Sequence, residues 1–182
     1  MKLPVLLILS VVLPPAAMGQ PAVAPARVFI SPSGEPFRPN AAEPDGFEAW
    51  FARVDVSHHG RIDRAEFRAD AARFFKQLDT NGDGVIDGFE VTAYERTVAP
   101  ELDISGQGFA RGGSSKVGVA SLLSEPEPVS GADVNLDSRI TLAEWLAAAD
   151  RRFDLLDIKH LGALGHDELK ALLPKAGKKS NR

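Results

Sequence analysis

Asp79-Thr80-Asn81-Gly82-Asp83-Gly84-Val85-Ile86-Asp87-Gly88-Phe89-Glu90 is the stretch on which the reading of this 182-residue chain turns. Counted from Asp79, oxygen-bearing side chains stand at positions 1, 3, 5, 9 and 12, with Gly84 at position 6 and Ile86 at position 8. Ca²⁺ is a hard cation that takes six to eight oxygen ligands, and this spacing wraps such a set around one ion. Asp79, Asn81 and Asp83 would each supply one oxygen and Val85 its backbone carbonyl. Asp87 would contribute directly or through water, and Glu90 would close the site with both carboxylate oxygens. The same residue types also make ordinary Asp/Gly-rich surface turns. Agreement at every constrained position at once favours the metal loop.

The pattern recurs. Asp79 is preceded by Phe75 and Leu78, Asp55 by Phe51 and Val54, Asp157 by Phe153 and Leu156, and Asp133 by Val129 and Ala132. Position 8 is Ile62, Ile86, Ile140 or Leu164, and position 12 is Glu66, Glu90, Glu144 or Glu168. Loop starts at 55 and 79 reappear 78 residues later at 133 and 157, and Arg61, Ala65, Phe67 and Arg73 correspond to Arg139, Ala143, Trp145 and Arg151. A register held across four copies is the mark of internal duplication.

On these residues, over about 45–172, the chain resembles secreted bacterial EF-hand calcium-binding proteins of the calmodulin-like superfamily. The resemblance implies an all-α fold: four EF-hand-like helix–loop–helix units in two duplicated halves, with short β-bridges between paired loops through their position-8 residues. The spacing adds a constraint. Phe67, Ala71, Phe74, Phe75 and Leu78 mark one face of a helix from about Arg64 to Leu78. That helix is roughly 22 Å long at 1.5 Å per residue. Loops at its two ends are too far apart to pair, so pairing is expected between the halves.

The four loops differ in their donors. The loop 133–144 offers Asp133, Asn135, Asp137, the Arg139 backbone at position 7, Thr141 able to hold a water, and Glu144. Ser138 stands there where glycine usually takes a left-handed backbone, a cost of about 1 kcal/mol. The loop 55–66 keeps Asp55, Ser57, the Arg61 backbone, Asp63 and Glu66, but His59 at position 5 is a poor ligand for a hard cation unless a water replaces it. A transition-metal site at His58 and His59 is disfavoured, because adjacent histidines rarely point at one ion. In 157–168 only Asp157 and Glu168 keep their charge, with Lys159 at position 3 and Leu161 at position 5. That loop reads as a structural partner for its mate.

Around these loops lie further segments. Lys2, the apolar run Leu3–Leu13, Pro14-Pro15 and the small residues Ala17 and Gly19 read as an export signal over 1–19, cleaved after Gly19. The run is shorter than the ~20 residues of a membrane span. A periplasmic or secreted location follows as an expectation. Residues 20–44 hold six prolines, so they form an extended arm, with 28–37 able to make a small hairpin. The half at 45–100 ends at Pro100. A Gly/Ser-containing linker covers 101–128, with a short ordered piece at Val117–Leu123, and the second half covers 129–174. The tail 175–182 is basic. Pro126, Pro128 and Gly131 leave room for barely one turn of helix before the third loop.

Net charge is −4 and cysteine is absent, which argues against nucleic-acid partners and excludes disulfides and thiolate chemistry. No nucleophile elbow, phosphate loop or zinc-spaced histidine motif is present, so catalysis is not expected. Two classes remain: an exported Ca²⁺ sensor or buffer, or a Ca²⁺-stabilised structural or interaction module that binds an envelope or extracellular protein partner. Both methionines, Met1 and Met18, lie within the signal, which tilts the reading away from a Met-rich target-grasping groove.

Overall fold

The computed structural model describes residues 27–102 and 119–174. The expected export signal, the start of the arm, most of the linker and the basic tail lie outside the described residues. The arm contributes β1 (Val28–Ile30) and β2 (Pro36–Phe37). Asp45 then caps α1 (Gly46–Val54), accepting from the N–H groups of Phe47 and Glu48. Next come β3 (Arg61–Asp63), α2 (Arg64–Leu78), β4 (Val85–Asp87) and α3 (Gly88–Ala93), which runs on as a π turn over Tyr94–Val98. After the linker follow β5 (Val119–Ser121), a single 3-10 turn (Ser130–Ala132), β6 (Arg139–Thr141), α4 (Leu142–Leu156), β7 (Ala163–Gly165) and α5 (His166–Leu172).

The expected all-α fold of four helix–loop–helix units is overturned. Helix makes up 48% of the described residues and strand 15%, with five α-helices and three small sheets. Two physical causes account for the difference. The proline-rich arm cannot be helical, so its backbone donors and acceptors are met by sheet pairing. β1 pairs antiparallel with β2 and parallel with β5, giving a three-stranded sheet of arm and linker. Pro126 and Pro128 restrict the entry to the third loop to the one turn at Ser130–Ala132, so that loop has no entering α-helix.

The other two sheets join loops. β3 pairs with β7 through Ile62 and Leu164, and β4 pairs with β6 through Ile86 and Ile140, both antiparallel. The 15-residue α2 therefore carries at its two ends loops that find partners in the other half. All four bridging residues are buried, Ile62 and Ile86 fully.

α2 and α4 form the centre of one core that draws on both halves. Each presents a stripe at helical spacing: Phe67, Ala71, Phe74, Phe75 and Leu78 on α2, and Trp145, Ala148, Ala149, Phe153 and Leu156 on α4. The Trp145 indole N–H donates to the Ala71 carbonyl at 2.8 Å, which satisfies the one polar atom that burial of this ring would strand. Arg64 lies over the Phe153 ring, 4.3 Å from its centroid, and pairs with Asp154. The arm is pinned too: the buried Tyr94 hydroxyl donates to the Gly34 carbonyl at 2.7 Å. Burial raises the Tyr94 pKa well above its ordinary value, so it stays a donor.

Candidate metal centre

One backbone design repeats in all four loops. The first aspartate accepts from the N–H groups of positions 5 and 6: Asp55 from His59 and Gly60, Asp79 from Asp83 and Gly84, Asp133 from Asp137 and Ser138, Asp157 from Leu161 and Gly162. Positions 4 and 6 both take positive φ in every copy: His58 and Gly60, Gly82 and Gly84, Leu136 and Ser138, His160 and Gly162. The loop turn is thus held by the chain's own hydrogen bonds. Sequence reading placed the position-6 demand but missed the one at position 4. The signal for it was Gly82, which is the only glycine among the four residues at that position.

Positions 9 and 12 have a second role. Asp63 with Glu66, Asp87 with Glu90, and Thr141 with Glu144 form capping boxes that start α2, α3 and α4. Each pair satisfies two N–H groups that a helix start leaves without partners. Gly165 leaves α5 without any side-chain cap.

The loop at 79–90 gathers the most oxygen. The Asp83 N–H lies 3.1 Å from Asp79 Oδ1 and 2.8 Å from Asn81 Oδ1, so two ligand oxygens crowd one donor. Asp83 in turn accepts from Val85 N–H at 2.9 Å. Glu90 is nearly buried and spans the loop. Its Oε1 accepts from Thr80 N–H and hydroxyl and Asn81 N–H, while Oε2 accepts from Asp87 N–H. Among the described residues, no Lys or Arg stands within ion-pair distance of Asp79, Asp83, Asp87 or Glu90.

The loop 133–144 repeats this arrangement closely. Asp137 N–H lies 3.3 Å from Asp133 Oδ1 and 2.9 Å from Asn135 Oδ1. Glu144 differs: it is held at Thr141, through the N–H at 3.0 Å and the hydroxyl at 2.8 Å. The β4–β6 register sets Val85 opposite Thr141 and Arg139 opposite Asp87, so position 7 of each loop faces position 9 of its partner.

In the loop 55–66, Glu66 also spans the turn, from Ser57 N–H to Asp63 N–H at 3.0 Å each, and Ser57 donates to Asp55 Oδ1. No oxygen side chain stands at position 5. Burial works to raise the Asp55 pKa, but hydrogen bonds from His59 and Gly60 N–H and from Ser57 outweigh it and hold the group below its ordinary value. In the loop 157–168 the Lys159 ammonium is bonded to Glu168. Asp157 is likewise lowered, against its burial, by the N–H groups of Leu161 and Gly162.

Among the described residues, no three His, Asp or Glu side chains already form a ready metal cage. The carboxylates instead spend their oxygens on loop N–H groups. The donor chemistry of 79–90 and 133–144 nevertheless fits Ca²⁺: uncompensated carboxylates and an amide oxygen gathered on one turn, with no imidazole or thiolate among them. The donor set of 157–168 does not fit, because a cation already occupies its glutamate.

The family model described as EF hand matches residues 47–69 and 71–91. The match covers the first two loops, well under half of the chain, and supports a likeness to EF-hand calcium-binding proteins there. No curated protein matches the chain. No helix among the described residues is long and apolar enough to cross a membrane.

Proposed function

We propose that the chain is an exported, non-catalytic calcium-binding protein, a buffer or sensor that takes Ca²⁺ in the loops 79–90 and 133–144. The observation that carries this reading is the β4–β6 pairing, which joins the two loops that keep an oxygen side chain at each of positions 1, 3 and 5, with no basic partner on their carboxylates among the described residues. In 79–90 the ion would be held by Asp79, Asn81, Asp83, the Val85 carbonyl, Asp87 and Glu90. In 133–144 it would be held by Asp133, Asn135, Asp137, the Arg139 carbonyl, Thr141 through water, and Glu144. Bound Ca²⁺ would supply the charge that these side chains leave unbalanced. The apolar run Leu3–Leu13 and the small residues before Gln20 support export, to a compartment where free Ca²⁺ is not suppressed.

Calorimetric titration of the chain lacking residues 1–19 tests this. We expect about two Ca²⁺ per chain, and the loss of one in each of Glu90→Gln and Glu144→Gln. No heat of binding, or an unchanged stoichiometry in Glu90→Gln, overturns the assignment.

One observation favours a second reading, that Ca²⁺ stabilises a module whose working part is a protein-binding surface. The core is shared by both halves and already closed, with Trp50, Trp145, Phe74 and Phe153 each almost wholly buried. Hydrophobic-dye fluorescence with and without Ca²⁺ separates the two. A sensor exposes apolar surface on loading, and a clamp does not.

A further inference from the structure

The third loop is entered differently from the first. α1 leads into Asp55 with Phe51 and Val54 buried. It is tied to α2 by the Trp50 indole N–H, which reaches Asp70 Oδ2 at 3.3 Å, and by Arg53, which bonds Asp70 Oδ1 at 2.9 Å. Val129 and Ala132 hold the same places before Asp133 and are at least as deeply buried, but one 3-10 turn is all that carries them. A single turn is unfavourable on its own, because few hydrogen bonds offset the backbone order it needs.

α4, the helix that leaves this loop, supplies the hold. Arg152 is 4% exposed, and its guanidinium reaches back to the entry segment. Nε donates to Glu125 Oε2 at 2.8 Å, Nη2 donates to Glu125 Oε1 at 2.7 Å, and Nη2 also donates to the Pro128 carbonyl. A planar guanidinium that meets a carboxylate through two bonds fixes direction as well as distance. The carboxylate lies against the turn itself: a Cβ built at Gly131 would stand 2.4 Å from Glu125 Oε1. At the matching place, 78 positions earlier, α2 carries the buried Phe74. Of the two halves, the one without an entering helix is the one with the arginine.

We propose that Arg152 and Glu125 are positioning residues for calcium at 133–144. Their clamp takes the place of the missing helix and holds the Ser130–Ala132 turn, so that Asp133 is fixed at position 1. The proposal rests on the calcium reading of that loop. The Asp133 N–H donates to the Ser130 carbonyl at 3.1 Å, so the first ligand hangs directly from the clamped turn. Asp133 in turn accepts from the N–H groups of Asp137 and Ser138, which orders the loop around it. A loop already ordered binds more tightly, because less freedom is lost on binding. The clamp acts at position 1, whereas pairing with 79–90 runs through positions 7 to 9, so its effect stays with 133–144.

Titration calorimetry on the full chain tests this one loop at a time. In Glu90→Gln, 133–144 is the loop of the pair left to take Ca²⁺, and in Glu144→Gln it is 79–90. Two substitutions reach the clamp from different sides. Glu125→Gln removes the charge, and Gly131→Ala keeps both charges but pushes its Cβ into the carboxylate. Each should weaken Ca²⁺ binding at 133–144 about ten-fold or more, the effect of losing a group that orients a metal ligand. Binding at 79–90 should be unchanged. No fall at 133–144, or an equal fall in both loops as from a general loosening of the core, overturns the proposal. Hydrogen exchange in chelator reads the clamp without metal. In Gly131→Ala the Asp137 and Ser138 amides should exchange faster, and those of Asp83 and Gly84 as before. Unchanged exchange at Asp137 and Ser138 overturns the clamp. No binding heat in the unsubstituted chain overturns the calcium reading instead, and the proposal falls with it, so the two failures are told apart.

Discussion

At position 12 of the loop 79–90, Glu90 reaches back across the turn to Thr80 and Asn81, with no Lys or Arg among the described residues at ion-pair distance. At the same position of 157–168, Glu168 meets Lys159. Strand pairing sorts the loops along this difference. β4–β6 joins the two loops rich in uncompensated oxygen, and β3–β7 joins the two that have lost ligands. The length of α2 rules out pairing within the first half, because it keeps the loops at its ends apart. One fold thus carries a loop pair whose carboxylates are unbalanced and a loop pair that has lost ligands and, in 157–168, holds its glutamate with its own lysine.

The largest expected effect comes from the bridging residues. Ile86→Ala and Ile62→Ala each remove a fully buried side chain, at about 2–5 kcal/mol in urea unfolding without metal. Their calcium behaviour should diverge: Ile86→Ala weakens binding in both 79–90 and 133–144, and Ile62→Ala leaves both as they were. Equal loss of Ca²⁺ affinity in the two variants would break the comparison.

Backbone strain gives the next test, within the acidic pair. Gly82 and Gly84 take their positive φ freely, whereas Leu136 and Ser138 hold the same conformation at a cost of about 1–2 kcal/mol per residue. Leu136→Gly and Ser138→Gly should each stabilise the chain by about 1 kcal/mol, and Gly84→Ala should destabilise it by a similar amount. No atom lies within 4 Å of a Cβ built at Gly84, so the conformation alone sets that cost. Thermal unfolding in chelator checks all three.

Much of this was legible in the sequence. Asp55, Asp79, Asp133 and Asp157 fixed the register, and the α2 face at Phe67, Ala71, Phe74, Phe75 and Leu78 fixed a helix whose ends match Arg64 and Leu78. What escaped depends on partners distant in sequence. That β1 would pair in parallel with β5 follows from no local pattern, since three-residue strands carry almost no periodicity. The all-α expectation failed on those segments and on the single turn before Asp133. The left-handed position 4 was masked because Leu136 does not signal it, and His58 and His160 are only modestly enriched in that conformation.

Lys159 tests the ligand-poor pair directly. Its contact with Glu168 is largely exposed, 63% and 42%, so Lys159→Met should change stability by no more than about 1 kcal/mol. Lys159→Asp combined with Leu161→Asp should do more, because it restores carboxylates at positions 3 and 5 beside Asp157 and Glu168. An added Ca²⁺ in calorimetry is the expected outcome. Unchanged stoichiometry would show that the missing cap at Gly165, rather than the lysine, disables the loop.

The smallest expected effect is a dependence on pH at this same end. His166 leads α5, and its ring packs against Phe47 and Phe51 of α1, with centroids 5.5 and 4.9 Å away. Nε2 lies 2.8 Å from Glu48 and Nδ1 3.0 Å from Asp167, and Lys170 also bonds Glu48. Burial works to lower the imidazole pKa, but Asp167 and Glu48 outweigh it and raise the group above 6.5. A raised folded-state pKa gives stability that is complete below the unfolded value and disappears as pH rises through the folded one. Stability at the α1–α5 contact should therefore fall as pH increases above 6.5, and His166→Gln should flatten that slope while leaving Ca²⁺ stoichiometry unchanged. Unfolding midpoints across this range, measured in chelator so that no loop titrates with metal, decide it. A slope that persists in His166→Gln would assign the proton to another group.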